Sequence, residues 1–324
     1  MPLIDKPLAE LYEYQGLNPR PADFDRYWDE SLRELDAHDP CVELVANSTL
    51  PLRNAEAFDL WFTGTGGARV HAKYLRPAKI EKPAPAVVVF HGYTGNAGDW
   101  ANWLGYVGEG FCVALLDCRG QGGKSEDNLQ IKGNTHHGHI IRGLDDPNPK
   151  NLLYRHIFLD TALLARIVMS FPEVDASRVG ATGASQGGAL TLACAALEPR
   201  IRQAFSIYPF LSDYRRVWEM DQAKDAYVEL RTFFRLFDPL HQREEEIFTR
   251  LGYIDIQFLA PRIKAEVTMV VGLMDTVCPP STQFAAYNKI TAPKELLIYP
   301  DFAHEGLPGC SDRTFAFLSR LRDC

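Results

Sequence analysis

Residues 183–187, Gly-Ala-Ser-Gln-Gly, fit the pattern G-x-S-x-G. The apolar residues 179–181 precede this motif, and the helix-forming residues 188–193 follow it. A serine in a sharp turn between a strand and a helix has a strained backbone and directs its hydroxyl into a cleft. The pattern and its setting therefore predict Ser185 as a nucleophile.

A serine hydroxyl is a weak nucleophile at neutral pH, so it needs a base and an acid that orients the base. His304 follows the apolar segment 295–299, and Asp275 ends the segment 270–275. Asp301, three residues before His304, and Asp255, in a polar segment, are alternative acids. The sequence favours a Ser185–His304–Asp275 triad and leaves those two alternatives open.

An attacked carbonyl also needs two N–H donors for its developing oxyanion. One donor is expected from Gln186, the residue after the nucleophile. The other is expected from residues 89–95, Val-Phe-His-Gly-Tyr-Thr-Gly, where Tyr93 is the candidate and its ring could wall an acyl pocket. The alternative is that residues 89–95 form a simple strand-to-loop turn.

These residues must be positioned by strands and helices. Continuous apolar segments are typical of parallel strands buried on both faces, and six are present, at 87–90, 112–116, 178–181, 204–207, 267–271 and 295–299. Helix-like stretches at 157–171 and 188–197 alternate with them, which predicts a doubly wound, mostly parallel sheet. The candidate residues follow strands in the order serine, acid, histidine, as in α/β-hydrolases. The predicted fold class is therefore the α/β-hydrolase fold.

We expect one domain over residues 1–324 with two additions. Residues 1–50 form an N-terminal leader packed on the domain, with a helix from Phe24 capped by Asp23, and residues 57–62 and 69–75 form a hairpin. Residues 212–261 form a helical insertion, with helices at 218–238 and 242–250. The insertion covers the active edge of the sheet, or alternatively is a pair of ordinary connecting helices.

The composition excludes several classes of protein. The chain has 324 residues, 46% of them hydrophobic, and a formal net charge of −8. Nucleic-acid binding is not expected because no Lys/Arg run is present, and a membrane span is not expected because no apolar run is long enough. The start of the chain lacks a secretory pattern, and seven scattered cysteines favour reduced thiols in the cytoplasm. Most of them are expected in the core, with a surface thiol at Cys324 as an option.

Three further features have alternative interpretations. The cluster His136-His137-x-His139 lacks partner ligands at zinc spacing, so a solvated or interface loop is favoured and no metal site is predicted. The glycines of residues 120–123 lack the G-x-G-x-x-G spacing of a nucleotide site. The aromatic residues Trp100, Trp103 and Tyr106 are more typical of a core than of a sugar platform, although they follow the candidate oxyanion loop.

Several motifs together resemble one family. The chain has RGQ at 119–121, GxSQG at 183–187 and HE at 304–305. These are similar to the signatures of carbohydrate esterase family 7, the acetyl xylan esterases and cephalosporin C deacetylases. The resemblance covers nearly the whole chain and includes residues 142–143, 146–147, 171–175, 209–211, 272–275 and 278–282.

The resemblance implies removal of acetyl groups from short acetylated xylo-oligosaccharides and cephalosporin C-type esters. It implies no cofactor, a cytoplasmic location and a ring-like homohexamer. It places the triad on Ser185, Asp275 and His304 and the oxyanion donors on Tyr93 and Gln186, with Tyr93 and Pro209 at the substrate. It also implies that residues 119–121 brace the site from behind. Alternative functions are a serine peptidase, another short-chain carboxylesterase, or a silent binding protein of the same fold.

Overall fold

The computed structural model describes residues 4–131 and 138–323. Within these residues nine strands form one sheet: β1 (Glu43–Ala46), β2 (Ala55–Thr63), β3 (Arg69–Pro77), β4 (Ala84–Phe90), β5 (Cys112–Leu116), β6 (Val174–Ala184), β7 (Gln203–Ile207), β8 (Glu266–Gly272) and β9 (Lys294–Tyr299). The helices are α1 (Leu8–Glu13), α2 (Phe24–Asp36), α3 (Leu104–Gly108), α4 (Leu153–Ser170), α5 (Gln186–Leu197), α6 (Tyr214–Glu219), α7 (Val228–Phe237), α8 (Glu244–Leu251), α9 (Ile256–Leu259), α10 (Pro280–Lys289) and α11 (Cys310–Ser319).

The strand order is β1-β2-β3-β5-β4-β6-β7-β8-β9. Strands β4 to β9 are parallel to one another, whereas β1, β2 and β3 pair in antiparallel fashion and β3 joins β5 antiparallel. Every residue of β4 and of β5 is buried because helices cover both faces of the sheet. Helices α4 and α5 pack on one face, and α3 and α11 pack on the other. This arrangement confirms the predicted mostly parallel α/β fold, and all six predicted segments are strands.

The predicted hairpin is also present. Its strands β2 and β3 pair from Thr63 opposite Arg69 to Ala55 opposite Pro77, which is longer than predicted at both ends. The connecting turn places Gly66 and Gly67 at φ +73° and +83°, in the left-handed region that glycine enters without a steric penalty.

The leader contributes α1, α2 and β1. The apolar face of α2, which includes Tyr27 and Trp28, is buried in the core. Asp23 is the N-cap residue of α2, as predicted, but its side chain makes no capping hydrogen bond. Its carboxylate instead accepts hydrogen bonds from Tyr253 Oη, at 2.5 Å, and from Arg26. The strand β1 was not predicted, because it is an edge strand with all four residues exposed and so lacks a buried apolar pattern.

The segment 212–261 lies between β7 and β8 and contains α6, α7, α8 and α9. The single helix predicted over residues 218–238 was wrong, because α6 ends at Glu219 and α7 begins only at Val228. Asp221 and Asp225 have φ of +55° and +45°, which an α-helix cannot contain. The leader is attached to this segment through the Asp213 carboxylate, which accepts bonds from Tyr14 Oη and from two leader N–H groups. No helix in the described part of the chain has the length and apolar character needed to cross a membrane.

Candidate active site

Ser185 occupies the turn between β6 and α5. Its backbone has φ +59° and ψ −119°, a conformation that costs free energy for a residue with a side chain. Two backbone hydrogen bonds hold the turn: Ser185 N–H donates to Ile207 O at 2.9 Å, and Phe210 N–H donates to Ser185 O at 3.1 Å. The strain is therefore maintained by the neighbouring strand β7 and the loop that follows it.

The glycines on either side of Ser185 are required by close contacts. A Cβ at Gly183 would lie 2.5 Å from Phe90 O, and one at Gly187 would lie 2.0 Å from the same oxygen. Both distances are shorter than any real carbon–oxygen contact. The G-x-S-x-G pattern thus lets the first turn of α5 approach the end of β4 directly.

The structure brings together the three residues predicted as a triad. His304 Nε2 lies 3.0 Å from Ser185 Oγ, and His304 Nδ1 lies 2.8 Å from Asp275 Oδ2. An ionised carboxylate only accepts hydrogen bonds, so Nδ1 carries the proton and Nε2 is left as an acceptor for the serine proton. The side chain of His304 is 20% exposed and that of Asp275 is fully buried, so the histidine alone reaches the cleft.

Asp275 is oriented by the chain that follows it. Its Oδ1 accepts the N–H groups of Val277 at 2.9 Å and Cys278 at 2.8 Å, which leaves Oδ2 directed at His304. The alternative acids lie elsewhere. Asp301 is exposed, and the buried Asp255 precedes α9, where it accepts the N–H groups of Gln257 in α9 and of Asp213 before α6. Of these three acids, only Asp275 has a hydrogen bond to His304.

The two predicted oxyanion donors, Gln186 and Tyr93, follow strands β6 and β4 and so lie at the same edge of the sheet. Gln186 is the first residue of α5, where a backbone N–H has no intrahelical acceptor. Tyr93 lies in the loop after β4, and β4 pairs with β6 so that Phe90 is opposite Gly183. The would-be Cβ of Gly187 lies 3.2 Å from His91 O, so this loop and the serine turn are in contact.

A buried polar network fixes the side chain of Gln186. Its amide exchanges two hydrogen bonds with Gln121, at 2.8 and 3.0 Å, and its Oε1 also accepts Tyr154 Oη at 2.6 Å. Two residues before Gln121, Arg119 forms a bidentate ion pair with Asp160 on α4, at 2.5 and 2.7 Å. The RGQ segment therefore lies behind the serine turn, where it supports Gln186 without contacting Ser185 Oγ.

Pro209 is buried in the loop after β7, next to two residues that touch the site. The ring of Tyr208 lies 4.5 Å from that of His304, and Phe210 bonds the serine turn. We did not predict Tyr208, nor Gln283, whose Nε2 donates to Cys278 O at 2.6 Å and lies 3.5 Å from Asp275 Oδ2. Both are placed by tertiary contacts, and no local sequence signal identifies them.

Other sequence features have separate locations. The described residues do not include His136, His137 or the terminal Cys324. The third clustered histidine, His139, is described, and its ring lies 5.2 Å from that of Tyr93. Potential metal-ligand atoms of Asp275, Cys278 and His304 lie within 4.8 Å of one another, but this group coincides with the triad. Tyr106 is buried against Phe111 and Phe315, whereas Trp100 and Trp103 are half-buried.

The strand order, the strained serine turn and the contacts of His304 define the class of protein, an α/β-hydrolase. Within that class the chain belongs to the acetyl xylan esterase (AXE1) family, whose sequence profile matches residues 1–321. The members of this family are carboxylic ester hydrolases, and the predicted resemblance is thereby confirmed.

Three relatives illustrate the similarity. The structure is similar to that of acetyl xylan esterase 1 from Thermoanaerobacterium sp. JW/SL YS485, with 57% identity and a TM-score of 0.96 over 98% of this chain and 99% of that one. It is also similar to an acetyl xylan esterase from Paenibacillus sp. R4, with 35% identity and a TM-score of 0.91 over 97% and 99% of the two chains. The acetyl esterase Axe7A of Xylanibacter ruminicola is 30% identical over 294 residues, which are 88% of this chain. The match spans 63% of the length of that curated relative.

Proposed function

We propose that this protein is a serine carbohydrate esterase that removes acetyl groups from short acetylated xylo-oligosaccharides and from cephalosporin C-type esters. The observation that carries the proposal is the pair of contacts of His304, 3.0 Å to Ser185 Oγ and 2.8 Å to Asp275 Oδ2. The names of the similar proteins, acetyl xylan esterases and an acetyl esterase, support the acetyl group as the acyl part.

In the first half-reaction, Ser185 Oγ attacks the acetyl carbonyl while His304 Nε2 takes the hydroxyl proton. The N–H groups of Gln186 and Tyr93 stabilise the negative charge that forms on the carbonyl oxygen. His304 then gives its proton to the sugar oxygen as the carbon–oxygen bond breaks. The free sugar alcohol leaves, and the acetyl group remains as an ester on Ser185.

In the second half-reaction, a water molecule attacks the acetyl ester and gives its proton to His304. The tetrahedral intermediate uses the same two N–H donors and collapses to acetic acid as the proton on His304 passes to Ser185 Oγ, and the acetic acid then releases its own proton to solvent as acetate. Asp275 holds the imidazole with its proton on Nδ1 and balances the charge of the imidazolium in both halves.

A small acyl group and a covered site are part of the proposal. The ring of Tyr93 packs on that of Phe210 at 5.5 Å, and Phe210 is followed by the segment 212–261. We propose that this segment covers the active edge of the sheet and that Tyr93 and Pro209 contact the substrate. A covered site of this kind takes soluble oligosaccharides more readily than polymeric xylan.

The proposal includes a cytoplasmic homohexamer in the form of a ring. The six cysteines among the described residues are free thiols and five are buried, which fits a reducing compartment. Sedimentation velocity of the purified protein measures the assembly directly, and a monomer at micromolar concentration would contradict this part of the proposal.

Hydrolysis of p-nitrophenyl esters of increasing chain length tests the central proposal. We expect rapid cleavage of the acetate, a steep fall toward the octanoate, and near-complete loss of activity in Ser185→Ala. Near-full activity in Ser185→Ala would contradict the triad, and equal rates on acetate and octanoate would contradict the acetyl preference. Parallel assays with acetylated xylose, acetylated xylo-oligosaccharides, cephalosporin C and dipeptide amides identify the substrate class, with the amides detecting a peptidase.

A further inference from the structure

Glu229 is a buried acid that the proposed catalytic steps do not use. It lies in the first turn of α7 and is 2% exposed. Its Oε2 accepts the backbone N–H of Ile140 at 2.6 Å and that of Ile141 at 3.2 Å. A buried acceptor shared by two consecutive N–H groups fixes the segment that donates them, because either N–H without its acceptor would be left buried and unsatisfied.

The segment that Glu229 binds has little freedom to adopt another position. Ile140 and Ile141 are buried in the main core, at 0% and 7% exposure. Gly138 has φ +151°, and a Cβ there would lie 2.6 Å from Ile141 Cγ1, so no side chain fits. His139 lies between Gly138 and Ile140, so the anchored isoleucines fix its backbone on the C-terminal side.

His139 lies against the proposed oxyanion loop. Its ring is half-buried and meets that of Tyr93 edge to face, at 5.2 Å and 80°. Phe210 contacts Tyr93 at 5.5 Å and also contacts Tyr227 at 4.3 Å. Tyr227 immediately precedes α7, so the start of this helix supports Tyr93 by two routes, one through Phe210 and one through Glu229 and His139.

We infer that His139 limits the length of the acyl group and that Glu229 is the positioning residue that holds His139 against Tyr93. The inference rests on the proposed function, since it takes the ring of Tyr93 as a wall of the acyl pocket. The ring of His139 would then close that wall from behind and prevent Tyr93 from moving aside for a longer acyl chain.

The electrostatics of Glu229 suggest the substitutions. Burial raises the pKa of Glu229 to about 8, although the N–H groups of Ile140, Ile141 and His139 act to lower it. The side chain is therefore mostly neutral at pH 7, and the amide in Glu229→Gln has nearly the same shape and charge. In contrast, Glu229→Met keeps the length of the side chain and removes the acceptor.

The experiment compares kcat/KM for p-nitrophenyl butyrate and p-nitrophenyl acetate at pH 7. We expect Glu229→Met and His139→Ala to raise the butyrate-to-acetate ratio by at least about tenfold, the scale on which a pocket discriminates added methylenes. The ratio should stay within about twofold of wild type in Glu229→Gln and His139→Phe, which keep the acceptor and the ring. Because Glu229 acts through His139, the double variant Glu229→Met/His139→Ala should have the ratio of His139→Ala alone.

Asp238→Ala is the matched control. Asp238 lies just beyond the other end of α7 and accepts the N–H groups of Gln242 and Arg243 at 2.9 and 2.8 Å, so its loss also leaves two N–H groups without acceptors. We expect Asp238→Ala to lower Tm and to leave the ratio unchanged.

An unchanged ratio in His139→Ala would overturn the role of His139. A ratio that moves in His139→Ala but not in Glu229→Met would overturn the role of Glu229. Either result with an inactive Ser185→Ala overturns this inference alone, whereas an active Ser185→Ala overturns the proposed function.

Discussion

Replacing Asp275 by asparagine tests the orienting acid by changing one atom. Asp275 Oδ1 accepts two backbone N–H groups, from Val277 and Cys278, so the amide oxygen of asparagine must take that position. The amide NH₂ then faces His304 Nδ1, which must lose its proton to accept a hydrogen bond. The imidazole proton then lies on Nε2, which is 3.0 Å from Ser185 Oγ. In this tautomer Nε2 has no free lone pair to accept the serine proton.

The size of the effect follows from these contacts. The opposite amide orientation would restore the acceptor at His304 but place the NH₂ against two N–H donors, at about 1–3 kcal/mol for each buried group left unsatisfied. That orientation is therefore rare. In serine protease triads the same substitution lowers kcat about 10⁴-fold, which corresponds to about 5.4 kcal/mol of transition-state stabilisation. We expect a loss of about 10³- to 10⁴-fold here.

The assay is p-nitrophenyl acetate hydrolysis at saturating substrate, with thermal unfolding measured on the same sample. The matched control is Asp301→Asn, an exposed acid three residues before His304, for which we expect a change of less than about twofold. The reasoning fails if Asp275→Asn keeps more than about one tenth of the wild-type kcat. It also fails if Asp301→Asn loses as much activity as Asp275→Asn.

Three further predictions concern stability. Gly187→Ala should lose activity and unfold at a lower temperature, because the alanine Cβ would lie 2.0 Å from Phe90 O. Among the described residues, the Cβ of Gly105→Ala would meet no heavy atom within 4 Å outside its own helix, so this variant should stabilise helix α3 by about 0.5–1 kcal/mol. Arg119→Met should lower the urea-derived free energy of unfolding by about 3–5 kcal/mol, because it removes one partner of the buried bidentate pair and leaves Asp160 uncompensated. A loss below about 1 kcal/mol, as for an exposed pair, would count against it. Burial, followed by the charge of Asp213, raises the pKa of Asp255 to about 7. The folded state therefore holds a proton that the unfolded state releases, so stability falls as pH rises from about 4 to about 7. Urea midpoints measured from about pH 5 to about pH 7 should show a flatter fall in Asp255→Asn than in wild type, and an unchanged slope would contradict this.

The sequence was sufficient to predict the parallel strands and the placement of Ser185, His304 and Asp275 after strands. Parallel strands buried on both faces are continuous apolar segments, and their carboxyl ends share one edge of the sheet, so chain order and position were enough to group distant residues. The serine motif adds a local steric constraint, since only glycine at 183 and 187 permits contact with β4. These features depend on short stretches of chain, and short stretches are what a single sequence displays.

The features that were not predicted depend on contacts between distant residues. Asp23 is a residue type that often caps helices, but its carboxylate instead accepts a hydrogen bond from Tyr253 Oη, 230 residues away. The break between α6 and α7 contains two aspartates with left-handed backbone conformations, although the composition of this segment favours a helix. Tyr154 reaches Gln186 only because α4 packs beside α5. Local preference was overridden in each case by a partner that the pattern of the sequence does not reveal.

Backbone strain is concentrated at the edge of the sheet that carries the candidate site. Five residues with side chains have positive φ in the loops after β4, β6 and β7: Thr94, Ser185, Tyr208, Leu211 and Asp213. Such conformations cost on the order of 1–3 kcal/mol each and persist only where surrounding contacts enforce them. Here the enforcing contacts come from neighbouring strands and from the segment 212–261, because Ser185 N–H donates to Ile207 O, Tyr208 N–H donates to Val270 O, and Asp213 N–H donates to the Asp255 carboxylate. The regular interior of the sheet therefore stabilises an irregular edge, and this irregularity is what directs Ser185 Oγ toward His304 rather than into the core.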